Sequence, residues 1–176
     1  MPESCNAMPC PDNILIAYAS RLGCTAEVAQ AIADEIGADA RWIGSIDSLT
    51  GYDAVIIGSA IRYDKWLPEA TDFVITHHEA LKTMPVAMFL TCLTLSHQSP
   101  KARQQAARYA ENIAATLPQV RPADIGRFAG VLDYGKIPYP SRLLARLIFA
   151  VLRVPEGDYR DWQAIRAWAR TALPRD

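Results

Sequence analysis

Three short apolar runs constrain this chain more than any other feature in it. Residues Asn13–Ala19 (NILIAYA), Asp53–Gly58 (DAVIIG) and Pro85–Thr91 (PVAMFLT) are hydrophobic at successive positions, not at alternate ones. A strand with one wet face alternates between apolar and polar side chains. A strand without alternation is covered on both faces, which is the condition of a central strand in a parallel sheet.

The segments between these runs supply the covering layers. Thr25–Ile36 places Val28, Ile32 and Ile36 at helical spacing, and Gly37 follows where a left-handed C-cap is wanted. A weak strand is expected over Ala40–Ile43. A helix is expected over Leu67–Leu81, with Pro68 tolerated in its first turn, and another over Lys101–Leu117, stopped by Pro118. Ile125–Leu132 reads as a last strand, weakened by Gly126 and Gly130, and Ser141–Val154 and Tyr159–Leu173 read as two closing helices. Alternating strands and helices imply a parallel sheet with helices on both faces. No repeat or linker divides the chain, so the expectation is an irregular extension over 1–12 and one domain over 13–176.

Composition excludes several classes of function. The formal net charge is -1, with neither the basic excess of a nucleic-acid binder nor a strongly acidic surface. Cys5, Cys10, Cys24 and Cys92 form no C-x-x-C pair and have no histidine at ligand spacing, so neither a disulfide framework nor a metal site is expected. The first residues lack the basic stretch and apolar run of a signal peptide, and no apolar stretch reaches the ~20 residues of a membrane span. The expected location is the cytoplasm. One segment, 141–154, mixes apolar residues with Arg142, Arg146 and Arg153. It either packs on the sheet or rests peripherally on an anionic membrane surface.

In an open parallel sheet, ligands sit outside the carboxyl ends of the strands. Three loops leave those ends with suitable chemistry. Ser20, Arg21, Leu22, Gly23, Cys24 and Thr25 form a turn into a helix N-terminus, whose backbone N–H groups attract an anion. The turn matches neither G-x-x-x-x-G-K-[ST] nor G-x-G-x-x-G, so a phosphomonoester fits better than a triphosphate or a dinucleotide. An ordinary helix cap is the plain alternative. The segment after Gly58 offers Arg62, Tyr63 and Trp66 to a flat heterocycle, or merely covers the sheet edge with its aromatics. The third loop, Thr91, Cys92, Leu93, Thr94 and Leu95, could meet a ring edge with backbone groups. Tyr134 and Tyr139, after the last strand, either wall a flat pocket or pack their loop.

With these residues in view, the chain resembles the flavodoxin superfamily, and most of all its menaquinone-dependent protoporphyrinogen IX dehydrogenase branch. The most specific stretch is Asp53–Tyr63 (DAVIIGSAIRY). Ser20-Arg21 with Gly23 and Thr25, the Met84-Pro85 strand entry and Asp161-Trp162 support it. The resemblance implies a flavodoxin-like three-layer α/β sandwich with a parallel five-stranded sheet in the order 2-1-3-4-5. It implies FMN as cofactor, with Ser20–Thr25 at the phosphate and Ala60, Ile61, Arg62 and Tyr63 flanking the isoalloxazine together with Thr91–Leu95. The activity it implies is oxidation of a porphyrinogen with a quinone acceptor. A flavodoxin-type electron carrier, another FMN-dependent reductase and a domain that has lost its flavin remain as alternatives. No catalytic side chain is assigned.

Overall fold

The computed structural model describes residues 11–97, 99–151 and 153–174, so the expected extension over 1–12 lies outside the described residues except for Pro11 and Asp12. Strands β1 (Ile14–Ala19), β2 (Asp39–Trp42), β3 (Ala54–Arg62), β5 (Val86–Cys92) and β6 (Ile125–Ala129) form a parallel sheet in the order β2-β1-β3-β5-β6. This is the expected order. The labels shift only because a two-residue strand, β4 (Lys65–Trp66), folds back antiparallel on β3.

The missing alternation in the apolar runs has the anticipated cause. Ile14, Ile16, Ala54, Ile56, Ala87 and Phe89 point to one side of the sheet. There they pack on α1 (Cys24–Ile36) and α6 (Trp162–Ala169). Leu15, Ala17, Val55, Ile57, Met88 and Leu90 point to the other. They meet α2 (Pro68–Thr76), α3 (His78–Leu81) and α4 (Pro100–Thr116). At Gly58 a Cβ would stand 1.9 Å from the buried Phe89 ring, so glycine is what lets that ring lie across the centre of the sheet.

The structure redraws four segments. The helix expected over 67–81 divides at His77 into α2 and α3. The strand expected over 125–132 stops at Ala129, and past Gly130 the chain turns off as β7 (Val131–Leu132), which pairs antiparallel with β8 (Gly157–Asp158). The closing helix after Tyr159 is shorter, starting at Trp162 behind an Asp161 cap that accepts from Ala164 N–H at 2.9 Å. The helix expected over 141–154 is α5 (Ser141–Val151), and it does not pack on the sheet. It rides on an excursion between β7 and β8 with a small core of its own, where Leu132, Tyr134 and Val154 pack with Phe149 and Ile137.

Candidate functional site

The carboxyl ends of β1, β3 and β5 open together on a cavity of about 700 Å³, well inside the range of small-molecule sites. Its floor is the turn after β1. Gly23 sits there at φ 88°, a left-handed conformation that glycine adopts without strain, and Ser20 Oγ accepts from Gly23 N–H at 3.1 Å to close the turn. The N–H groups of Cys24, Thr25 and Ala26, in the first turn of α1, find no acceptor among the described residues. Such open donors, reinforced by the helix dipole, make an anion cradle. Arg21 is drawn aside by Glu69 of α2 at 2.8 Å.

Side-chain hydroxyls contribute less to the cradle than the sequence suggests. Thr25 is buried and its hydroxyl bonds that of Thr91 at 2.8 Å, which ties the first turn of α1 to the end of β5. Partial burial pushes the Cys24 thiol above the usual range, against the smaller opposing effect of the Val131 backbone, so it fills space and is not a poised thiolate.

The wall from β3 is a hairpin, where a loop was expected. β3 continues past Gly58 to Arg62 and returns through β4, with Tyr63 (φ 51°) and Asp64 (φ 62°) at the tip. Two successive residues at positive φ make the tight turn that suits strand twist, a place usually held by Asn-Gly. A tyrosine there is strained by about 1–3 kcal/mol. The tip is held because Tyr109 of α4 donates its hydroxyl to Asp64 at 2.7 Å, and Ser59 Oγ accepts Leu67 N–H at 3.1 Å at the hairpin base. Tyr63 is left 85% exposed at the cavity mouth with the Arg62 guanidinium 5.3 Å from its ring centroid.

The opposite wall and roof come from the β7–β8 excursion, of which the sequence offered only Tyr134 and Tyr139 as walls. Ile137, Pro138, Leu144, Ile148 and Phe149 face the cavity. The available signal was the pair Leu144 and Ile148, four apart on a helix with no acid. Tyr134 and Tyr139, considered as walls, are not at the cavity. Tyr134 is buried with the Arg146 guanidinium 5.3 Å from its ring centroid, and Tyr139 stands in solvent. Of the fifteen residues expected at the site, all line the cavity except Gly23, Thr94 and Leu95. Gly23 caps α1, Thr94 turns to Tyr109 at 3.4 Å, and Leu95 packs into the α4 side of the core.

A staple ties the excursion to the cradle. Glu27, in the first turn of α1, accepts from Lys136 Nζ at 3.1 Å on one oxygen and from Arg160 Nη1 at 2.6 Å on the other. Arg160 also holds Asp158 at 2.7 Å and lies over the Trp162 ring. Hydrogen bonds from Arg160 hold the Glu27 and Asp158 carboxyls below their ordinary range, with Lys136 helping at Glu27.

Comparison with known proteins agrees with this architecture. A family model described as a flavodoxin domain matches residues 15–156. The chain is 29% identical over 171 residues to the protoporphyrinogen IX dehydrogenase [quinone] of Escherichia coli K12, covering 89% of this chain and 92% of that protein. Among solved structures it is similar to a short-chain flavodoxin associated with a bacterial microcompartment (TM-score 0.52, 11% identity, 91% of this chain and 95% of that one). It is also similar to a flavoprotein in complex with FMN from Lactobacillus acidophilus (TM-score 0.50, 14% identity, 67% and 93%).

Proposed function

We propose, from the premise that the chain belongs to the flavodoxin domain family, that its strand-end cavity binds FMN in an oxidoreductase that takes electrons from protoporphyrinogen IX and passes them to a quinone. The observation that carries the FMN reading is the continuity of the cavity. An anion cradle with three open N–H groups at the head of α1 runs directly into a largely apolar chamber large enough for a flat ring system.

In this reading the Ser20–Thr25 turn holds the phosphate through its backbone donors. Ala60, Ile61 and Tyr63 with Thr91, Cys92 and Leu93 flank the ring system. Bound there, FMN would supply the redox chemistry. The protein positions the ring, excludes water with Leu144, Ile148 and Phe149, and presents Arg62 at the rim, where its charge meets a substrate carboxylate or the edge of the ring. No carboxylate or histidine lines the cavity among the described residues.

The roof helix supports a place at a lipid surface for the same reaction. Leu143, Leu147 and Val151, which do not line the cavity, are exposed at 57%, 65% and 75%. Between Asp133 and Glu156 the sequence holds Lys136, Arg142, Arg146 and Arg153 and no acid. An apolar face flanked by cations fits an interfacial helix on anionic lipid, where a quinone would be met. No helix among the described residues is long and apolar enough to cross a membrane. The protein should sediment with phosphatidylglycerol vesicles and not with phosphatidylcholine vesicles. Equal partitioning to both, or to neither, removes the lipid surface from the reading.

The test of function is the visible spectrum of the FMN-loaded protein, recorded anaerobically before and after protoporphyrinogen IX is added. A perturbed flavin band that bleaches as porphyrin appears is the expected result. A perturbed band that stays oxidised would overturn the porphyrinogen assignment in favour of an electron carrier or another reductase. A free-flavin spectrum that washes away would overturn the cofactor.

A further inference from the structure

The excursion that carries the roof helix leaves the sheet beside the cradle and returns beside it, and a cation stands at each foot. Lys136 is on the outgoing limb and Arg160 on the incoming one, and both hold Glu27. Their situations differ. The Arg160 side chain is 7% exposed, is fixed by two carboxylates and lies on Trp162. The Lys136 side chain is 42% exposed, and its ammonium makes one bond, to Glu27. A Cβ placed on Gly23 would be 3.8 Å from Lys136 Nζ, so this ammonium stands directly over the residue that opens the cradle.

The cradle itself is short of partners for a phosphate. Leu22 is apolar, the Thr25 hydroxyl is engaged by Thr91 and Arg21 by Glu69, which leaves the Ser20 hydroxyl, already accepting from Gly23 N–H, as the side-chain donor of the turn. Glu27 brings a negative charge into the same helical turn. An incoming phosphate dianion would meet repulsion there unless a cation intervened. Lys136 can turn from Glu27 to the anion while Arg160 keeps the carboxylate paired, so the transfer leaves no charge uncompensated.

We propose that Lys136 is a phosphate-selecting residue of this cofactor site, a cation from a remote segment that helps distinguish FMN from riboflavin. This rests on the FMN reading above and adds to it a contact from a remote segment. A charge-assisted hydrogen bond of this kind is worth roughly an order of magnitude in affinity when partly exposed.

The test is titration of the flavin-free protein with FMN and, separately, with riboflavin, followed by flavin fluorescence. For Lys136→Met, FMN affinity should fall about tenfold while riboflavin affinity stays within about twofold. Lys136→Arg should restore most of the FMN affinity. Equal loss for both flavins would mean that Lys136 only supports the fold of the excursion, and unchanged FMN affinity would mean that the ammonium never reaches the phosphate. Either result overturns the proposal while leaving the FMN reading in place. Binding of neither flavin by the unsubstituted protein would overturn both.

Discussion

The hydroxyls of Thr25 and Thr91 meet at 2.8 Å, both in buried residues, one in the first turn of α1 and the other near the end of β5. This bond fixes the anion cradle relative to the wall of the cavity. Replacing Thr25 by valine keeps the shape and strands the Thr91 hydroxyl without a partner, at a cost of about 1–3 kcal/mol. Thr25→Val and Thr91→Val together should cost less than the sum of the two, because neither hydroxyl is then left alone. Urea melts of the four proteins give the coupling directly, and strict additivity would show that the bond contributes nothing specific.

Tyr63 carries strain where its ring is exposed at the cavity mouth. Tyr63→Asn should relieve the backbone and stabilise the protein by about 1 kcal/mol, raising Tm by roughly 2–4 °C. The same substitution should weaken the binding of a flat substrate. A variant that gains stability and keeps its KM would show that the ring serves no ligand.

Arg62 presents its guanidinium at the rim, 5.3 Å from the Tyr63 ring centroid. For Arg62→Glu in the FMN-loaded protein, the flavin midpoint potential should fall, or the KM for a carboxylate-bearing substrate should rise, as an anion replaces a cation. Potentiometry and steady-state kinetics separate the two roles. Both quantities unchanged would remove Arg62 from the site.

The Glu27–Arg160–Asp158 staple has a sign that pH can read. Arg160 holds both carboxyls below their ordinary values of 4.5 and 3.8. Their contribution to stability is therefore complete above those values and is lost as pH falls through the lowered folded ones. The Glu27 side chain is 46% exposed, so solvent screening keeps the effect modest. Between pH 6 and pH 3, Tm of the wild type should fall more steeply than that of Glu27→Gln. Parallel curves would show that the staple has no energetic weight.

The sheet was legible in the sequence because Ile14–Ala19, Ala54–Ile57 and Val86–Leu90 carry no polar alternation, which only a doubly covered strand requires. Helix ends were legible where Gly37 and Pro118 punctuate them. The continuation of β3 to Arg62 was not, since Ser59 and Ala60 carry no strand period and the partner strand is only two residues long. The turn at the cradle was legible as a strand-end loop, whereas Thr91 and Cys92, expected in a loop, still belong to β5 and the turn begins at Leu93. Thr25 was read as part of the phosphate turn, because nothing local announces that a threonine on another strand will take its hydroxyl. The roof was missed for a related reason. An amphipathic pattern in α5 says that one face is apolar, but the pairing of β7 with β8 decides what that face meets.

That pairing has a consequence for how such a chain can change. Val131 lies opposite Asp158 and Leu132 opposite Gly157, so the intervening segment departs and returns at one point on the scaffold. Lengthening, shortening or exchanging it alters a closed loop whose ends stay fixed, and loop length adds only slowly to the entropic cost of closure. The five-strand order need not move when this cassette is traded. The apolar roof of the cavity and the exposed helix that carries it can therefore be exchanged at a single two-strand stem, while the sheet beneath stays as it is.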